Sequence, residues 1–156
     1  MSLQSWDLLA DIPEEGGRAV LDLGSSRALP AGTVVFGLGD EASELFLIVT
    51  GKVNLTLPVH VEGKHQEATV EERLPGQLLG WSGLVPPHRY TLRAVATEET
   101  ELLALPRAAL LDLFTVRPDL GYAVLSNVAA VIGRRLQIFQ TMWIREMQRV
   151  IENRKR

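Results

Sequence analysis

The sequence contains no cysteine. That excludes disulfides, cysteine nucleophiles, iron–sulfur clusters and thiolate metal sites. Histidine is scarce as well, with only His60, His65 and His88 in the chain. His60 and His65 flank a short turn at Gly63. Without carboxylates or thiolates arranged beside them they make a poor transition-metal site, so neither a metal nor haem is expected. No apolar stretch approaches the roughly 18 residues of a membrane span. Met1-Ser2-Leu3-Gln4 has neither the basic start nor the apolar run of a secretory signal, and a cytoplasmic chain with no membrane contact is expected. Repeats and low-complexity segments are absent. Enzyme signatures are lacking too. Gly80-Trp81-Ser82-Gly83-Leu84 approaches the Gly-x-Ser-x-Gly elbow, but its second glycine comes one residue early and no acid–histidine order follows. Gly37-Leu38-Gly39 lacks the third glycine and the helix of a dinucleotide fingerprint. No catalytic residue is assigned.

The 156 residues, 46% of them hydrophobic, suit one globular domain with a core of its own. A net charge of −3 hides an asymmetry. Residues 118–156 carry seven basic side chains (Arg134, Arg135, Arg145, Arg149, Arg154, Lys155, Arg156) against three acids, Asp119, Glu146 and Glu152. Such a segment reads first as the solvated face of a helix. Its last cations also complement the helix C-terminus. An acidic partner is the other reading.

Three zones follow from the hydrophobic pattern. Residues 1–27 are expected to form N-terminal helices, with Trp6, Leu8, Leu9 and Ile12 as one apolar group and Ala19, Val20 and Leu23 as another. Gly24-Ser25-Ser26 should end them. Residues 28–105 read as short strands with turn signals every 8–12 residues, the mark of a roll or sandwich. Val34–Phe36, the apolar run Leu45–Val49, the alternating Val53-Asn54-Leu55-Thr56-Leu57, Thr69–Leu74, Leu92–Ala96 and Glu101–Leu105 are the strands. Residues 106–156 switch to helical period, with one helix from Pro106 and a second from Pro118 to about residue 152. In the second, Leu125, Ala129, Ile132, Leu136, Phe139, Trp143, Met147 and Val150 recur at near-heptad spacing. The first half of that seam is expected to pack on the roll. The second half would lie bare, and a parallel two-fold homodimer is the usual way to cover it. The fold class is therefore mainly β with helices at both ends (α+β).

Leu29-Pro30-Ala31-Gly32-Thr33-Val34-Val35-Phe36, then Gly39-Asp40, then Leu45–Val49 before Thr50-Gly51-Lys52-Val53, resembles the first half of the cyclic-nucleotide-binding domain. This is the double-stranded β-helix, a jelly-roll-like β-roll, of catabolite activator proteins and protein kinase A regulatory subunits. Pro75-Gly76-Gln77-Leu78-Leu79-Gly80 resembles the approach to the family's phosphate-binding cassette. The resemblance implies a ligand site at Gly80, Trp81, Ser82, Gly83, Leu84, His88, Arg89, Tyr90 and Thr91. In the family, a short helix offers N–H groups to the cyclic phosphate, an arginine neutralises it, and a glutamate accepts from the ribose hydroxyl. Here Trp81 holds the glutamate's place and accepts nothing. Counted without a gap, His88 falls on the family arginine and Arg89 comes one residue late. Gly80-Trp81-Ser82 is similar to a bacterial branch of small proteins often lacking a DNA-binding domain.

Two functions stay open. One is a regulatory sensor of a small anionic effector, a cyclic nucleotide among the candidates, with Arg89 as counter-charge and Trp81 and Tyr90 as walls. The other is a degenerate, ligand-free domain serving as a dimeric interaction module for a protein partner. The helix-turn-helix of family regulators is not expected before Arg156, so neither is direct sequence-specific DNA binding.

Overall fold

The structure is a computed structural model that describes residues 2–156, apart from the side chain of Gln4. Met1, where the N-terminal zone was taken to begin, lies outside the described residues. Among the described residues, eight antiparallel strands form two four-stranded sheets. They are β1 (Ser25–Leu29), β2 (Val34–Phe36), β3 (Glu44–Thr50), β4 (Val53–Val61), β5 (Lys64–Arg73), β6 (Leu78–Leu79), β7 (Arg93–Ala96) and β8 (Thr100–Pro106). One sheet runs β1-β8-β3-β6 and the other β2-β7-β4-β5. Before them come two single 3₁₀ turns, Leu3–Ser5 and Asp7–Leu9, and helix α1 (Glu14–Leu21). After them come α2 (Arg107–Val116) and α3 (Pro118–Arg154). This is the jelly-roll-like β-roll expected, with helices at both ends.

Strand β3 explains the apolar run in the sequence. Its Phe46 and Ile48 point into the roll, beside Phe36, Leu55, Leu79, Leu92 and Leu102. Its Leu45 and Leu47 point outward beneath the helices, beside Leu8, Ile12, Leu110, Val124 and Val128. A strand buried on both faces has no polar alternation to show. Strand β4 begins with the expected alternation, Val53 and Leu55 buried and Asn54 half-buried, and loses it at buried Thr56, where the pairing with β5 shifts register.

Three boundaries differ from expectation. The first N-terminal helix is only a pair of 3₁₀ turns. The β region starts at Ser25 rather than residue 28, because β1 pairs with β8 from Ser25↔Ala104 to Leu29↔Thr100. Ser25-Ser26-Arg27-Ala28 is exposed, so main-chain pairing and the polar bonds of Ser26 to Glu101 and Arg27 to Glu44 hold it, and no apolar pattern betrays it. The β4–β5 hairpin is longer than its apolar residues suggest. It closes over the two residues Glu62 (φ 52°) and Gly63 (φ 76°). Two positive φ values in succession are what a tight hairpin turn of matching twist requires.

Helix α3 corrects the seam. Its 37 residues span about 55 Å. The face it lays on the roll is Leu120, Gly121, Val124, Val128, Val131 and Arg135. Leu125 and Ala129 are exposed, so of the first half of the seam only half-buried Ile132 packs on the core. One residue along a helix is about 100° around it, and the roll takes the stripe one step away. Leu136 (56% exposed) and Trp143 (66% exposed) continue the uncovered seam. Among the described residues no helix is long and apolar enough to cross a membrane.

Stability should sit in the roll interior. Ile48→Ala, at a fully buried position, is expected to cost about 2–5 kcal/mol in urea unfolding. Val61→Ala, on the exposed end of the β4–β5 hairpin, is expected to change it by about 0.5 kcal/mol or less.

Candidate functional site

Gly80 starts the cassette in the left-handed conformation, φ 79°. A side chain there would be strained and would crowd the Tyr90 ring, 3.1 Å from the first added carbon. The 3₁₀ turn Trp81–Leu84 follows, with Ser82 and Gly83 buried. The chain then runs through a cis Pro86–Pro87 bond to His88, whose φ is 58°. Nδ1 of His88 lies 3.2 Å from the Ser82 carbonyl.

Tyr90 fills the concave side of the roll. Its ring stacks on Phe36 at 3.8 Å between centroids, and Phe36 stacks on Phe46 at 6.1 Å. Its hydroxyl donates to the Glu44 carbonyl at 2.7 Å. Burial is the main reason its pKa is pushed up to about 12. The cavity left between Phe36, Leu55, Gly80–Ser82, Tyr90–Leu92 and Arg135 is only about 10 Å³. That is room for no more than one water.

The structure thus brings together Gly80, Trp81, Ser82, Tyr90 and Thr91 of the sequence-predicted set. Gly83 is buried below the turn, where an added Cβ would collide with Leu45, and Leu84 packs against the outer core. His88 and Arg89 do not line this cavity. Arg89 is exposed, its main chain pairs with that of Glu41 in an isolated antiparallel bridge, and its Nη1 donates to the Gly39 carbonyl at 3.0 Å. As placed, it holds a neighbouring loop rather than facing an anion over the cassette.

The cation at the cassette comes instead from α3. Arg135 lies with its guanidinium carbon 5.9 Å from the Trp81 ring centroid. Its Nε donates to Glu71 Oε2 at 2.9 Å. Glu71 Oε1 accepts from Arg73 Nη1 at 2.9 Å, and Arg73 Nη2 reaches Asp7 Oδ2 at 3.1 Å. Arg73 also donates twice to the Leu78 carbonyl, and Asp7 Oδ2 takes the Leu78 N–H. This buried ionic chain joins the N-terminal turn, β5, β6 and α3. Burial raises the pKa of Asp7, against the Leu78 N–H and Arg73, and burial lowers that of Arg135, against Glu71. Sequence reading placed Arg135 on a solvated face. The available signal was its place in the stripe Leu120, Val124, Val128, Val131, where a charge interrupts apolar spacing.

A wider groove opens beside the small cavity. It measures about 300 Å³ and is lined by Leu57, Trp81, Thr91, Leu92, Ile132, Arg135, Leu136 and Phe139. The histidines gather no site: His60 and His65 pack edge to face at 5.6 Å, and His65 pairs with Glu67. Among the described residues no three histidine or carboxylate side chains converge as metal ligands.

Tyr90 gives a pH test of the filled roll. Its folded pKa lies above the ordinary value of 10.0. The native state therefore holds the phenol proton more tightly, so this stabilisation is complete below pH 10 and lost as pH rises towards about 12. Tyr90→Phe is expected to flatten the fall in stability across that window. It should cost about 1 kcal/mol near pH 7 through the lost hydroxyl bond.

Comparison with known proteins agrees with this geometry. Residues 26–116 match the model of the family described as cyclic nucleotide-binding domain. The chain is 38% identical over 125 residues to the cyclic AMP receptor protein of Thermus thermophilus, covering 80% of this chain and 54% of that protein. It therefore spans about half of that relative. The crystal structure of the Thermus thermophilus catabolite activator protein superposes with a TM-score of 0.72 at 32% identity, over 88% of this chain and 61% of that one. The N-terminal domain of a transcriptional regulator from Streptomyces coelicolor superposes with a TM-score of 0.71 at 26% identity, over 86% and 94%. With its roll, its Gly80 cassette and its long terminal helix, the chain belongs to the cyclic nucleotide-binding domain family.

Proposed function

We propose that this domain senses a small anionic effector held between the Gly80–Leu84 cassette and α3, and that it works as a homodimer paired along α3. One observation carries the reading. The groove of about 300 Å³ joins residues of the cassette, Trp81 and Thr91, to residues of the helix seam, Ile132, Leu136 and Phe139. Its volume falls at the lower end of small-ligand sites, and its walls are mostly apolar around one cation. The effector is placed outside the roll interior, which Tyr90 and Phe36 fill. A cyclic mononucleotide is the family's candidate, with Trp81 as a stacking surface where the family has a ribose-binding carboxylate.

Pairing follows from the uncovered helix. Leu136, Trp143 and Met147 are exposed at near-heptad spacing, and a second copy of the same seam buries them. An effector touching both cassette and helix would then bias dimer geometry by its differential affinity for two arrangements.

The filled roll also supports a second reading, a ligand-free module that dimerises and docks a protein partner. Thermal melting separates the two. A true effector at about 100 times its Kd adds about 2.7 kcal/mol, a rise of roughly 5–10 °C for a domain this size. A flat response to cyclic purine and pyrimidine monophosphates favours the docking module. Sizing tests the pairing. Trp143→Asp with Val150→Asp, both outside the groove, is expected to turn a dimer into monomers, and an unchanged elution would remove α3 as the interface.

A further inference from the structure

We infer that Arg135 of α3 is the residue that receives the effector's negative charge, and that the site accepts a singly charged organic anion rather than a polyanion. The inference deepens the effector-sensing reading and rests on it.

Arg135 is built as an unfinished ion pair. Its side chain is only 10% exposed. Its Nε is taken by Glu71. Among the described residues, Nη1 and Nη2 donate to no protein acceptor. The neighbouring Arg73 shows the contrast: all three of its nitrogens are engaged, by Leu78, Glu71 and Asp7. The two Nη nitrogens are not sealed from solvent, so an anion in the groove can reach them and take the place of water. The guanidinium lines both the small cavity and the groove, and Trp81 lies against it. Glu71 is shared between two guanidinium groups, so it balances Arg135 incompletely. The lowered pKa of Arg135, caused mainly by burial, points the same way.

Charge count sets the ligand class. Arg135 is the single charged residue of the groove lining, and the other seven lining residues are uncharged. One compact oxyanion can be matched by the free nitrogen fork. Further charges would be stranded against Leu57, Leu92, Leu136 and Phe139. The remainder of the molecule should be a flat apolar body able to lie on Trp81. A ring-closed phosphodiester on a nucleoside meets both conditions, whereas a nucleoside triphosphate does not.

Calorimetric titration of the full chain tests this, with the four 3′,5′-cyclic nucleoside monophosphates and ATP as probes. At least one cyclic monophosphate is expected to bind, and ATP at least tenfold more weakly, about the effect of one stranded charge contact. Arg135→Met is expected to weaken binding about 30-fold, the loss of charge-assisted hydrogen bonds. Arg135→Lys keeps the cation but not the fork, so about tenfold is expected, and it decides the matter should the methionine variant not fold. Arg89→Met should stay within about twofold of the parent, since Arg89 lies outside the groove. If a probe binds and both Arg135 variants match the parent, the assignment to Arg135 is overturned while the sensor reading stands. If ATP binds as well as any cyclic monophosphate, the single-charge rule is overturned. If no probe binds the parent, both the inference and the sensor reading fall.

Discussion

The constraint on which the rest of the molecule depends is that the inner part of the first sheet, β3 with its neighbours β6 and β8, is buried on both faces. Phe46, Ile48, Leu79 and Leu102 close one face against the second sheet. Leu45, Leu47, Leu78 and Leu105 close the other beneath the helices. The helices are therefore not appendages but the second wall of the core. Helix α3 must offer the sheet Leu120, Val124, Val128 and Val131, flanked by half-buried Ala123, Asn127 and Ile132, and its opposite face is left over. Its last buried residue is Arg135. The helix leaves the sheet at a charged side chain, beside the cassette.

A charge at that boundary has to be matched, and the chain Arg135–Glu71–Arg73–Asp7 does so in part, because Glu71 is shared with Arg73. Buried ion pairs seldom add much net stability, because desolvation offsets most of their attraction. Breaking one partner is far costlier than never having the pair. Such a chain is therefore better suited to fixing register than to strengthening the fold. It locks α3, β5 and the Asp7 turn at one relative position. It also leaves two nitrogens of Arg135 unspent where the cassette and the helix meet.

The same geometry relocates the site. Tyr90 and Phe36 occupy the concavity that the cassette would otherwise frame, so the usable volume lies outside, between roll and helix. A ligand there would touch α3 directly. The seam of Leu136 and Phe139 is both the groove wall and the start of the unpaired stripe, so occupancy of the groove and pairing of the helix share side chains. That is the physical basis for coupling them: two states of one helix, each with its own contacts.

The sequence by itself determined what depends on local period and turn chemistry. The apolar run of β3, the start of the alternation in β4, the turn at Gly63 and the extent of α3 are all written in neighbouring residues. Strand β1 escaped because main-chain pairing and polar side-chain bonds, Ser26 to Glu101 and Arg27 to Glu44, hold it rather than apolar burial. The tertiary structure alone decided which stripe of α3 faces the roll, because helix periodicity offers several stripes about 100° apart and only a partner surface selects one. It also decided that Arg135, rather than Arg89, stands at the cassette. Arg135 and Glu71 are 64 residues apart in the chain, and no local pattern joins them until a helix is laid across a strand.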